Sequence, residues 1–174
     1  NGHLAEQLVQ IFIECGLENP DADRENATIS VNNGSLSLFL DCIENSESLE
    51  DSQKNAITYN FQTSVGHHTS LQCVGFAQAV ADAQGIDLSD HCGHANGYIN
   101  CPDIPSSRYT NEPSPGVFAV SGEGPYGHIG IITAVTTNEA GNKICRFASA
   151  WGDSGEIDVT EPPCDYFDTF IKPN

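Results

Sequence analysis

The chain has 174 residues, with six Lys and Arg against 24 Asp and Glu, so it fits one ordinary domain carrying a net charge of −18. Such a surface repels phosphate backbones and anionic bilayers, which disfavours nucleic-acid binding and adsorption to acidic membranes. An apolar content of 39% suits a globular core, and no segment reaches the length of a membrane helix, so no membrane insertion is expected.

The chain opens at Asn1 and contains no Met, the expectation being a mature fragment or a domain of something longer, monomeric or part of a multidomain chain. Seven cysteines in a chain of this size point to disulfides in a secreted protein, or to metal binding in an intracellular one. An odd count leaves one thiol over. Several connectivities are open; local pairing joins Cys15 with Cys42, Cys92 with Cys101 and Cys145 with Cys164, and leaves Cys73 free.

In chain order, His3 to Cys15 reads as an amphipathic helix with Leu4, Leu8, Ile11 and Phe12 on one stripe, ended by Gly16. Asn19 to Asn26 is polar and turn-like. The run Ser35 to Ile43 is either helix or strand, and Asn45 to Lys54 is polar, opening a short helix toward Tyr59. Thr69-Ser-Leu-Gln72 has the capping-box pattern ahead of a helix through CVGFAQAVADAQ, with Leu71, Val74, Ala77, Val80 and Ala81 inward and Gly85 as the stop. His91 to Arg108 is loop-rich. After Pro113-Ser-Pro-Gly116 the period changes: Val117–Val120, His128–Val135, Lys143–Trp151 and Gly155–Thr160 read as strands of an antiparallel meander. Helices first and a sheet afterwards is the α+β class.

Cys73 lies near a helix N-terminus, where free N–H groups and the helix dipole stabilise a thiolate and lower the thiol pKa. A buried structural cysteine reads the same way from position alone. His128 starts a strand, and alternation puts it on the face of Gly130, Ile132 and Ala134, with Gly130 leaving open space beside the imidazole. Trp151 either lines a cleft or packs in the sheet.

The stretches LQCVGFAQAV, PSPGVFAV and YGHIGIIT, in that order, resemble the CHAP family, the cysteine, histidine-dependent amidohydrolases and peptidases of the papain-like group. The segment HCGHANGYINC is similar to that family's Gly-Asn-Ala stretch between the Cys helix and the sheet. The resemblance covers roughly residues 65 to 165 and divides the chain into an N-terminal helical extension, 1–64, packed on a CHAP-like catalytic domain, 65–174. It implies a papain-like α+β fold and a secreted or wall-associated hydrolase that cuts amide bonds in bacterial peptidoglycan peptide. Cys73 would be the nucleophile, His128 the base, and backbone N–H groups at the start of the Cys helix the oxyanion hole.

Two positions depart from the family pattern. Val117 stands where Pro-Gly is usually followed by Asp, and RFASAWGDSG lacks the Glu or Asn that orients the imidazole. Ser149 and Asp153 are the polar candidates for that third role, and Trp151 and Tyr126 are candidate substrate contacts. A degenerate member that binds wall peptide or protein without cutting it is the alternative reading. So is a disulfide- or zinc-stabilised interaction domain, for which His67, His68, Cys73, His91, Cys92, His94, Cys101 and His128 supply ligands. Only the HCGH cluster has close spacing, so no metal and no cofactor are expected; calcium at Asp21, Asp23 and Glu25 lacks an EF-hand pattern.

Overall fold

Apolar residues at helical spacing in the first half, and alternating ones in the second, build two layers that share one core. The computed structural model describes residues 2–17 and 27–174; the turn expected at residues 19–26 and the calcium guess at Asp21, Asp23 and Glu25 lie outside the described residues.

Four helices come first: α1 (Gly2–Gly16), α2 (Leu36–Glu44), α3 (Asp51–His68) and α4 (Cys73–Ala83). The ambiguous run at residues 35–43 is helix α2, because Phe39 and Ile43, four apart, are both buried. α3 runs well past Tyr59. Its capping box is Glu50 with Gln53, whose side chain accepts from the Glu50 N–H at 2.9 Å. Phe12 of α1 holds these helices together, meeting Phe39, Phe61 and Phe76 at ring separations of 6.1, 5.3 and 5.9 Å.

The Thr69-to-Gln72 capping box does not form. Thr69 instead ends α3 in the left-handed region (φ 66°), and α4 is capped by the extended backbone of Gln72 without a side-chain bond. Cys73 is thereby the first residue of α4, one turn earlier than expected. Gly85, at φ 71°, stops the helix as expected.

The strands are β1 (Ile29–Ser30), β2 (Tyr109–Thr110), β3 (Phe118–Ser121), β4 (His128–Thr137), β5 (Lys143–Trp151), β6 (Glu156–Thr160) and β7 (Thr169–Ile171). They form one antiparallel sheet in the order β1-β6-β5-β4-β3-β7-β2, with β3 to β6 as the meander. This is the α+β arrangement that the chain order implied, and it is consistent with the papain-like fold that the family resemblance implied. Val120, Ile129, Ile131, Ala148, Ala150 and Ile157 face the helices and join their core. Ala119, Ile132, Phe147, Phe167 and Phe170 make a smaller cluster on the other face.

A bulge at Thr133 shifts the β4–β5 register between Ile132 and Ala134, so Val135, opposite Cys145, takes the place on the outer face that alternation assigned to Ala134. The six paired cysteines are Cys15 with Cys42, Cys92 with Cys101 and Cys145 with Cys164, which tie α1 to α2, close the loop after α4, and fasten β5 to the segment before β7. Cys73 is the free thiol.

Candidate active site

The segment leading into Cys73 is fastened on several sides. Leu71 N–H donates to the Val31 carbonyl at 2.9 Å, and Gln72 N–H to the Ser64 hydroxyl of α3 at 2.9 Å. The Gln72 side-chain amide donates to the Gly152 carbonyl at 2.8 Å, and the Ser70 hydroxyl bonds the same carbonyl. A Cβ on Gly152 would lie 2.4 Å from the Gln72 side-chain oxygen and would displace that amide from the Gly152 carbonyl. Gly75 plays the matching part between α3 and α4, where a Cβ would meet the Ser64 Cβ at 2.5 Å.

The thiol sits where the sheet opens. The β4–β5 ladder reaches Ile131 opposite Ala148, and beyond it Ile129 turns its polar groups to side chains. Its carbonyl accepts from the Ser149 hydroxyl at 2.8 Å, and its N–H faces the Cys73 sulfur. The half-buried thiol therefore meets backbone N–H groups from two elements: Ile129 of β4, and Val74 and Cys73 of the first helical turn. These favour the thiolate, as the helix terminus promised, but burial outweighs them and pushes the Cys73 thiol up. The lowered thiol pKa expected from sequence is overturned because the helix end is readable in a sequence and the strand covering it is not.

His128, beside Ile129 in the chain, is only 7% exposed, and burial pulls its imidazole down to about 4. One face of the ring lies on the Trp151 indole at a centroid distance of 3.8 Å and an interplanar angle of 14°. Phe147 meets it edge-on at 5.7 Å. Gly130 does not leave the open space expected there: a Cβ on it would meet the Phe147 ring at 2.7 Å and the Ala148 carbonyl at 2.3 Å. Nε2 of His128 is buried without a hydrogen-bond partner among the described residues. Neither polar candidate for the third role reaches it. Ser149 is committed to Ile129, and Asp153 is exposed in the turn after β5.

Burial thus favours the uncharged form of both groups at neutral pH. His128 is not among the residues that border the Cys73 cleft; its ring lies with Phe147 and Trp151. The turn that aims His128 is gripped from the loop after α4, where Asn96 N–H donates to the Tyr126 carbonyl at 2.8 Å and the Asn96 side chain to the Pro125 carbonyl at 3.1 Å. Cys73 opens onto a cleft of about 630 Å³ that is also bordered by His67, His68, His94, Gln72 and Tyr126. Tyr126, 61% exposed, stands on its rim with its ring 4.6 Å from that of His94. Trp151 lies outside that cleft, its Nε1 donating to Asp158 at 2.7 Å.

Gln72, Ser64, Asn96 and Asp158 have parts in the site that sequence reasoning missed. Gln72 was visible as the residue before Cys73, but it read as a cap. Cys92 and Cys101 are consumed by a disulfide, and among the described residues no three His, Cys, Asp or Glu side chains converge as a metal site. Also among the described residues, no helix is long and apolar enough to cross a membrane.

Residues 62–145 match the family model of the CHAP domain, the family that the motifs resemble. The matched segment runs from the end of α3 through the Cys73 helix and β4, and so contains both Cys73 and His128. Neither curated proteins nor solved structures give a match. A CHAP domain indicates amidohydrolase or peptidase activity on peptidoglycan-type substrates, and three disulfides fit an oxidising, extracellular setting.

Proposed function

We propose that the protein is a secreted cysteine hydrolase that cleaves amide bonds of bacterial peptidoglycan, as an N-acetylmuramoyl-L-alanine amidase or a peptide endopeptidase. The observation that carries this reading is the free Cys73 thiol at the first position of α4, facing the Ile129 N–H next to His128 and open to a cleft.

As the sulfur attacks the scissile carbonyl, His128 takes the thiol proton; the S–C bond forms and the carbonyl π bond opens to an oxyanion. The N–H groups at the start of α4 receive that oxyanion. Collapse breaks the C–N bond, and His128 returns its proton to the leaving amine. Water then hydrolyses the thioester with His128 again as base. Tyr126, on the cleft rim, is a substrate contact in this reading. In this reading the N-terminal helices α1 and α2 are an extension supporting the catalytic segment, with α1 in the same core as α4.

The test is mass spectrometry of fragments released from several purified peptidoglycan types by the wild type and by Cys73→Ala. Release by the wild type alone supports the reading, and the fragment masses identify the bond. Release by neither supports a binding module, and equal release by both refutes Cys73 as nucleophile.

A further inference from the structure

A general base must hold its ring in one plane, and a hydrogen bond from a ring nitrogen to a neighbouring side chain ordinarily does this. Here Nε2 has no such partner, yet the ring is confined on one face by Trp151 and at its edge by Phe147. The indole is itself fixed, since Nε1 donates to the Asp158 carboxylate at 2.7 Å. Asp158 lies opposite Ser149 in the β5–β6 register, so the order His128, Trp151, Asp158 crosses three adjacent strands.

Resting on the proposed Cys73–His128 chemistry, we propose that Trp151, locked by Asp158, is the positioning residue for His128, an aromatic stack replacing the hydrogen-bonding side chain that RFASAWGDSG lacks. The stack sets the ring plane, keeps water from one face, and receives the imidazolium formed during attack through a cation–π contact. Asp158 is suited to its part because it is half-buried and accepts the indole proton, although burial raises its pKa. The charged and titratable groups around the stack are Glu156 and Asp158 from β6. From β3 comes Ser121, bonded to the Tyr166 hydroxyl.

The experiment combines NMR titration of the His128 ring, assigned by loss of its signal in His128→Gln, with kcat and KM on muropeptides for Trp151→Ala, Trp151→Phe, Asp158→Ala and Asp158→Asn. Trp151→Ala is expected to raise the His128 midpoint from about 4 by more than about one unit toward the ordinary value near 6.5. Its kcat is expected to fall about tenfold or more while KM changes little. Trp151→Phe, which keeps an aromatic face, recovers most of that loss; Asp158→Asn, which keeps an acceptor, outperforms Asp158→Ala.

An unmoved titration with unchanged kcat in Trp151→Ala overturns the proposal. So does a loss confined to KM, which makes Trp151 a substrate contact, or equal damage by Phe and Ala. Should Trp151→Ala not fold, the Asp158 pair decides alone: equal titration and kcat in both variants overturns it. A wild type that cuts no wall fragment while the titrations shift as expected refutes the hydrolase reading and leaves the stack standing.

Discussion

The Ser149 hydroxyl donates to the Ile129 carbonyl at 2.8 Å, taking a place that a ladder bond from β5 would otherwise fill. Ile129 also turns its N–H to the Cys73 sulfur, so one peptide-bonded residue links the buried hydroxyl to the thiol. Ser149→Ala leaves that carbonyl without its partner in a fully buried position and is expected to cost about 1–3 kcal/mol in chemical denaturation. Unchanged stability would mean that the ladder recloses with Ala150.

The expected pH behaviour follows from burial of Cys73 and His128. His128 stays neutral, and able to accept a proton, down to about 4, so the acid limb of kcat/KM is expected near that value and not near 6.5. Iodoacetamide should react with Cys73 faster as pH rises into the alkaline range, because the thiol is pushed up. A rate plateau extending below neutral pH would instead reveal a thiolate–imidazolium pair.

Folding stability carries the same signature. Below the ordinary histidine value the unfolded chain binds a proton that folded His128 refuses, so stability falls as pH drops from about 6.5 to about 4. The loss attributable to this residue amounts to about 3 kcal/mol across that window. His128→Gln should flatten that part of a stability-versus-pH curve measured in urea.

Gly130→Ala tests the packing behind the imidazole. The added Cβ would come within 2.7 Å of the Phe147 ring and 2.3 Å of the Ala148 carbonyl. Overpacking of this kind costs about 1–3 kcal/mol and is expected to displace Phe147, which His128 leans on. Thermal unfolding reads the first effect and the His128 ring signals the second.

The disulfide between Cys15 and Cys42 joins the first two helices across 27 residues of chain. Replacing both by Ala should lower stability by about 2–4 kcal/mol. One thiol should be titrated in the denatured, unreduced wild type; more than one would contradict the pairing.

What could be read in the residues had a local cause. Alternation between Gly- and Pro-rich turns located β3 to β6, and short spacing pointed to the three cysteine pairs and the leftover Cys73. β1, β2 and β7 span two or three residues each, too short for any period to show. The helix entry misled because Thr69 and Gln72 carry a capping pattern, whereas α3 needs Thr69 for its own end. The missing Glu or Asn was legible in RFASAWGDSG, but the indole beside His128 depends on a register across β4, β5 and β6 that no linear spacing displays.

Thr69 is the non-glycine residue with positive φ among the described residues, four positions ahead of Cys73. A β-branched side chain is poorly suited to that conformation, and holding it there costs on the order of 1–3 kcal/mol. The turn is therefore a spring wound against the entrance of the Cys73 helix. Thr69→Gly should release it and raise the melting temperature, while slackening the hold on the sulfur. Heat resistance and turnover would then be traded against each other at a single residue that touches neither substrate nor thiol.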